Sequence, residues 1–203
     1  MLLEIHPKNP DQRKVQQVVE CLRKGGVIIY PTDTIYGLGC SIEHAEAINR
    51  ICRIKKILPE KALLSFICSD LSHLSQFTKS INTPTFRVLN ANLPGPFTFI
   101  LEASREVPKL LMRPKSTVGI RVPNHPICKL LLKEFGHPII STSLPDGGDH
   151  EDVVDPEVIY HKYSHLIDAM VSSGPGGIET STIVDCVDNN FSIIRQGKGE
   201  LLL

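Results

Sequence analysis

The stretch from Gly25 to Gly39, Gly-Gly-Val-Ile-Ile-Tyr-Pro-Thr-Asp-Thr-Ile-Tyr-Gly-Leu-Gly, constrains the fold more than any other part of the chain. Its glycine pair stops a helix and Val27 to Tyr30 forms a buried apolar strand. Pro31 then breaks that strand, because it has no N–H and a fixed φ. Thr32, Asp33, Thr34 and Tyr36 follow, so hydroxyls and a carboxylate stand at the strand's end. Gly37 and Gly39 let the backbone pass close to another group. Polar groups carried at the strand ends of a rigid sheet build small-molecule sites. The same residue types also satisfy local backbone groups at ordinary strand exits. On residue types alone both readings stand.

Around this stretch, strands and helices interleave. Asn9 is expected to cap a helix with Pro10 at its first position and Gln12 completing a capping box. Val15, Val18, Val19 and Leu22 share one face of that helix, which Gly25 ends. A second helix is expected over about Glu43 to Lys56, with Ala45, Ile48, Ile51 and Cys52 inward. Ala62 to Cys68 reads as a buried strand, and Leu71 to Phe77 and Thr85 to Ala91 as short helices. The rigid turn Leu93-Pro94-Gly95-Pro96 leads into strand Phe97 to Leu101. A charged excursion from Ala103 to Lys115 precedes strand Thr117 to Val122. His125 to Phe135 reads as a helix with Ile127, Leu130, Leu131 and Phe135 inward, and Pro138 to Thr142 as another strand. Leu144 to Asp155 is a polar loop, Pro156 to Tyr163 a helix and Leu166 to Val171 a strand. After the glycine-rich loop Ser172 to Gly177, strands Ser181 to Cys186 and Phe191 to Arg195 are joined by a hairpin turn at Asp188-Asn189-Asn190. With 203 residues and neither repeat nor linker, the pattern predicts one α/β domain around a mixed sheet.

Composition narrows the function classes. Lys+Arg and Asp+Glu both number 22, so no global field recruits nucleic acid and an RNA contact would need a local basic face. No apolar run approaches the ~20 residues of a membrane span. Cys21, Cys40, Cys52, Cys68, Cys128 and Cys186 are scattered, which fits a reducing cytoplasm and argues against a structural zinc site. His161 and His165 have a helical spacing but lack the glutamate of a zinc-protease helix. No Gly-x-Ser-x-Gly elbow, P-loop or Gly-x-Gly-x-x-Gly is present.

Phosphate or carboxylate capture therefore falls to side chains. Lys55, Lys61, Arg121 and Arg195 supply charge if the fold brings them together. Taken alone, Lys55 reads first as a solvated helix end. Arg121 sits in the apolar strand Val118-Gly119-Ile120-Arg121-Val122, where a charge needs a partner or a ligand unless alternation turns it to solvent. Ser141-Thr142-Ser143 and Thr180-Ser181-Thr182 put further hydroxyls at strand ends.

Tyr30-Pro31-Thr32-Asp33-Thr34 with Tyr36-Gly37-Leu38-Gly39 resembles the opening motif of the YrdC/YciO family, whose best-known members are threonylcarbamoyl-AMP synthases. The resemblance continues through Lys55, Leu93 to Thr98, Val118 to Pro123 with His125-Pro126, Ser141, Ser181 to Asp185, and Arg195 with Gly197. It implies a single YrdC-like domain over residues 1–203, with no additional C-terminal domain. The implied fold is a twisted mixed β-sheet with flanking helices and a large, positively charged concave cavity (YrdC/RibB-like). The implied reaction takes L-threonine, bicarbonate and ATP to threonylcarbamoyl-AMP and pyrophosphate, for t6A modification of tRNA. Mg2+ would be held mainly by the phosphates. Carried over by position, Thr32, Tyr36, Arg121 and Ser181 bind threonine. Lys55, Thr117, Ser141, Ser143 and Arg195 surround the nucleotide, with Lys55, Arg121 and Ser141 closest to the chemistry.

Two positions depart from the family pattern. Its Lys-x-Arg signature reads Lys55-Lys56-Ile57 here, and its Ser-x-Asn signature reads Ser141-Thr142-Ser143. Ile57 removes a guanidinium whose planar fork Lys56 does not copy. With these changes the chain is most similar to the YciO branch. The alternative expectation is a paralogue that binds nucleotide or double-stranded RNA without efficient synthase activity. For RNA, the basic run Arg50, Arg53, Lys55, Lys56 and Lys61 is the candidate face.

Overall fold

Helix α1 (Gln12–Arg23) shows how the local code plays out. Its N-cap is Asp11, whose carboxylate accepts from the backbone N–H of Arg13, so the expected cap at Asn9 moves two residues on. An aspartate does the same work and its charge also suits the positive helix end. Val15, Val18, Val19 and Leu22 form the buried stripe as expected. The chain leaves through Gly25 at φ 77°, a left-handed turn that a side chain would resist.

The structure, a computed structural model, describes residues 1–108, 111, 116–144, 154–187 and 191–203. The expected turn at Asp188-Asn189-Asn190, and parts of the 103–115 excursion and the 144–155 loop, lie outside the described residues. The remaining elements in chain order are β1 (Leu2–Glu4), β2 (Ile28–Tyr30), β3 (Gly37–Ser41), α2 (Ala45–Lys55), a 3-10 turn (Pro59–Lys61), β4 (Ser65–Ile67), α3 (Leu71–Ser75), α4 (Thr83–Asn92), β5 (Phe97–Glu102), β6 (Thr117–Arg121), α5 (Pro126–Phe135), β7 (Ile139–Ser143), α6 (Pro156–Tyr163), β8 (Ala169–Ser172), β9 (Thr182–Asp185) and β10 (Ser192–Arg195). The strands form one ten-stranded mixed sheet in the order β1-β8-β2-β3-β7-β4-β6-β5-β9-β10. The expected α/β architecture is therefore present.

Several details differ from the sequence expectation. Ala45 is exposed and Ala47 takes its place in the α2 stripe. In α5, Cys128 and Leu132 are buried, whereas Leu130 only packs at the margin. Strands β1 and β3 were not expected. The first is only three residues long, and the second is rich in glycine, which has poor strand propensity.

Alternation along β2 splits the core. Ile29 joins one apolar cluster, while Ile28 and Tyr30 join a second on the opposite face of the sheet. The first cluster takes in Ile48 and Ile51 of α2, Leu74 of α3, Leu89 of α4 and Ile159 of α6. The second is built by α1 and α5 over β1, β8 and β2, and reaches only Ile139 and Ile67 in the strands beyond. Past those residues the second face turns polar.

Candidate functional site

Strand register explains the polar half-face. Ser65 lies opposite both Gly119 and Ser141, Gly37 opposite Ser143, and Ile67 opposite Arg121. Phe99 lies opposite Ile120 and packs in the first cluster with it, so Thr98 and Arg121 point the other way. Period two thus places serines, a threonine, glycines and one arginine together on a surface that no helix of the second cluster covers. The result is a cleft of about 210 Å3 lined by Thr34, Tyr36, Leu63, Ser65, Thr98, Arg121, Ser141, Ser143, Thr180, Ser181 and Arg195, among others. Thr98 and Ser65 escaped the sequence reading. The signal for both was a lone hydroxyl in an apolar run, Phe97-Thr98-Phe99 and Leu64-Ser65-Phe66.

Gly37 and Gly39 make room for Tyr30. A Cβ on Gly39 would lie 2.9 Å from the Tyr30 ring and 2.6 Å from Ile139, and one on Gly37 would lie 3.1 Å from the same ring. Across this gap the Tyr30 hydroxyl donates to Ser141 Oγ at 2.8 Å, and Ser141 donates in turn to the Leu38 carbonyl at 3.2 Å. Ser141 is therefore fixed from below, with its own proton committed. Burial holds the Tyr30 phenol well above its ordinary pKa, so it stays a donor.

The segment from Pro31 to Tyr36 arches across this face. β2 and β6 are separated by β3, β7 and β4, roughly 19 Å at ~4.8 Å per strand. Yet Arg121 donates from one Nη2 to Asp33 Oδ1 and to Thr34 Oγ1, both at 3.0 Å. Asp33 Oδ2 accepts from the Asn124 N–H at 2.9 Å, and its carbonyl accepts from Lys198 Nζ at 2.7 Å. Thr32 holds the arch from inside: its hydroxyl donates to the Ile35 carbonyl at 2.7 Å and accepts from the Thr34 N–H at 3.1 Å. Gly177 docks on it, its N–H bonding the Thr34 carbonyl at 2.9 Å. A Cβ there would lie 2.6 Å from that oxygen. Tyr36 closes the far end by donating to the Gly174 carbonyl at 2.6 Å. The Arg121–Asp33 pair is mostly buried, with side chains 14% and 9% exposed, and Arg121 Nε is buried without a hydrogen bond.

Arg195 forms the opposite wall. Its guanidinium donates to the Ser181 carbonyl at 2.8 Å, and the Ser181 and Thr98 hydroxyls meet at 2.8 Å. Partial burial, and then the repulsion of Arg121, hold Arg195 below its ordinary pKa. Thr182 locks the chain beyond it. Its buried hydroxyl accepts from the N–H groups of Gly197 and Gly199, each at 3.0 Å, and donates to the Gly199 carbonyl at 2.7 Å. This places Lys198 beside the arch, a role that an exposed lysine near the C-terminus did not announce.

Of the expected site residues, Tyr36, Arg121, Ser141, Ser143, Ser181 and Arg195 line the cleft together. Thr32 supports the arch instead of facing the cavity. Lys55 donates to the backbone carbonyl of Ser143 at 2.9 Å and so reaches the same strand end from behind. Thr117 lies at the other end of β6 from Arg121, opposite Glu102. Ile57 is partly buried just past α2. In the basic run, Arg50 pairs with Asp168 at 2.8 Å and Arg53 with Glu46, whereas Lys56 and Lys61 are exposed.

Comparison with known proteins supports the fold and identifies the family. The family model of the Sua5, YciO and YrdC proteins, described as "Telomere recombination", matches residues 20–197. The Escherichia coli (strain K12) protein named "Uncharacterized protein YciO" is 42% identical over 198 residues, 97% of this chain and 95% of its own. A Coxiella burnetii protein named threonylcarbamoyl-AMP synthase is 34% identical over 165 residues, 81% of this chain and 87% of its own. The crystal structure of E. coli YciO superposes with a TM-score of 0.91 at 41% identity, covering 98% of this chain and 97% of its own. P. abyssi Sua5, solved in complex with L-threonine, shares the fold with a TM-score of 0.85 at 22% identity, over 97% of this chain and 57% of its own. The chain belongs to the Sua5/YciO/YrdC family.

Proposed function

We propose that the cleft binds ATP and L-threonine and forms threonylcarbamoyl-AMP from them and bicarbonate, at an attenuated rate, as a cytoplasmic step toward t6A in tRNA. The observation that carries this is the pair of guanidiniums, Arg121 and Arg195, set among hydroxyls on the uncovered sheet face. Such a surface suits a carboxylate and phosphates together. The named activity of the Coxiella relative and the L-threonine bound to P. abyssi Sua5 support the choice of substrates. The enclosed volume of about 210 Å3 suits the amino acid and reacting phosphate. The rest of the nucleotide would extend along the open mouth.

In the reaction, the threonine nitrogen adds to CO2 drawn from bicarbonate and loses a proton. A carbamate oxygen then attacks the α-phosphorus of ATP, the bond to the bridging oxygen breaks, and pyrophosphate leaves. This displacement needs positioning and charge neutralisation more than a protein nucleophile. Arg121, oriented by Asp33 and Thr34, would take the threonine carboxylate beside Ser181. Arg195 would face the phosphates, with Ser143 and Ser141 along the nucleotide and Lys55 behind them. Asp33 already spends both carboxylate oxygens on protein donors. Mg2+ would therefore arrive as part of the nucleotide, bound by its phosphates, and would add charge neutralisation there.

Ile57 favours a second reading, a paralogue that binds nucleotide without efficient turnover. A lost guanidinium contact that forms only in the transition state lowers rate more than affinity. The RNA-binding variant of that reading has less support, because Arg50 and Arg53 are held in ion pairs and leave no continuous basic face along α2.

The test is threonine-dependent pyrophosphate release from ATP and bicarbonate, on the wild type, Arg195→Ala and the double variant Ile57→Arg/Ser143→Asn. The synthase reading expects wild-type turnover that Arg195→Ala lowers by about 10²-fold or more, and a gain in the double variant. Absent wild-type turnover with saturable ATP binding would replace it with the second reading.

A further inference from the structure

The neighbouring parallel strands β4 and β6 send the chain to opposite faces of the sheet. After β4 it enters α3, whose Leu74 packs in the first cluster; after β6 it enters α5, whose Ile127 and Leu131 pack in the second. Strands that part in this way leave a crevice beyond their carboxyl ends, the position at which open α/β sheets hold ligands. Here the crevice is a groove of about 1060 Å3. It shares no lining residue with the hydroxyl cleft.

Its lining carries more basic groups than acidic ones. Lys129 and Lys133 stand one turn apart on the exposed side of α5, and His125 and His73 line the same groove. Nδ1 of His125 is buried and has no hydrogen-bond partner, and such groups are few among the described residues. The carboxylate of Asp70 is already committed, one oxygen to the His73 N–H at 2.8 Å and the other to the Ser69 hydroxyl at 2.9 Å. Burial lowers the pKa of both histidines. Both rings are therefore neutral near pH 7 while the lysines carry the charge, and because His73 Nδ1 is engaged by Ser69 at 3.2 Å, its Nε2 is the atom left for a ligand. Val122 and Pro123 give the groove an apolar side.

We propose that this crevice is a second binding site, for a phosphorylated small molecule. Lys129 and Lys133 contact its phosphoryl oxygens, His73 and His125 hydrogen-bond it, and its apolar body lies on Val122 and Pro123. The site is independent of the reaction in the hydroxyl cleft and stands whether or not the chain turns over threonine.

The experiment follows the histidine ring resonances by NMR while AMP or inorganic phosphate is titrated into the full chain. His73→Gln and His125→Gln provide the assignments. A saturable shift of both rings is expected with either probe. Lys129→Glu/Lys133→Glu should weaken it by about tenfold or more. Both lysines are exposed, so the fold should survive, and circular dichroism checks this. Arg195→Ala should leave the shift within about twofold, since that residue faces the other cleft. No saturable shift, a shift unchanged by the double charge reversal, or one lost in Arg195→Ala overturns the site. Ring shifts with an RNA oligonucleotide but not with AMP overturn its assignment to a small molecule.

Discussion

Asp33 is the residue on which the cleft's shape turns. It neutralises Arg121 and holds the first residues beyond β6 through Asn124, so three parts of the chain meet at one carboxylate. Removing one member of a mostly buried pair leaves the other charge without compensation, which typically costs ~3–5 kcal/mol when fully buried. With the pair 14% and 9% exposed, Asp33→Ala should cost about 2–4 kcal/mol in urea unfolding. It should also raise the threonine KM more than it lowers kcat, since Arg121 loses its orientation before it loses its charge. A variant within about 0.5 kcal/mol of wild type would mean that the arch is held elsewhere. The sequence showed the carboxylate but not its task. Asp33 and Arg121 are 88 residues apart, and nothing local links them. Gly37 and Gly39 carry a similar lesson. Their lack of a Cβ signalled a close approach, and the approaching group is the ring of Tyr30, a few residues earlier in the chain.

Among the elements, the amphipathic helices were legible because their apolar period is read against a single strong template. The stripe of α1 came out residue for residue, while in α2 and α5 it was displaced at the edges, where burial depends on the neighbour. Short strands were harder. β1 and β3 take their conformation from the strands beside them, not from propensity. Residues 196–199, just past β10, have no regular structure, and the Thr182 hydroxyl takes the N–H groups of Gly197 and Gly199 while the Thr180 carbonyl takes that of Lys198. Thr182→Val keeps the volume but strands the N–H groups of Gly197 and Gly199, while the Gly199 carbonyl keeps its bond from Gln196 Nε2 at 2.8 Å. With partial access of water to this segment, the expected loss is about 2–4 kcal/mol. Amide exchange should rise selectively at Gly197 and Gly199, and ATP should bind more weakly because Arg195 adjoins the loosened segment and Lys198 lies within it. Unchanged exchange at those two amides would show that the hydroxyl is dispensable.

At the scale of the molecule, the cleft comes from incomplete coverage of one sheet. α1 and α5 protect only the β1-β8-β2 side of the second face, and the strands beyond carry small polar residues where a third helix would otherwise need apolar ones. Apart from β1 and β3 the strands were visible in the sequence, but their order was not. β1 pairs with β8 across most of the chain, and β5 pairs with β9 from Phe97 to Thr182, so the hydroxyl-bearing strands become neighbours only through pairings that no local pattern encodes. The same topology joins the ligand to stability. The arch, β6 and the segment after β10 meet over the cleft, so an occupant that bridges Arg121 and Arg195 binds only the folded chain. For a ligand present at ~100 times its Kd, linkage predicts about 2.7 kcal/mol of added stability. That corresponds to a rise in Tm of roughly 5–10 °C for a chain of this size. ATP with L-threonine should give that rise in differential scanning calorimetry, and Arg195→Ala should remove most of it. A Tm that ATP and threonine leave unmoved at concentrations saturating for any plausible Kd would mean that the cleft does not hold them, and the proposed chemistry would have to be abandoned with it.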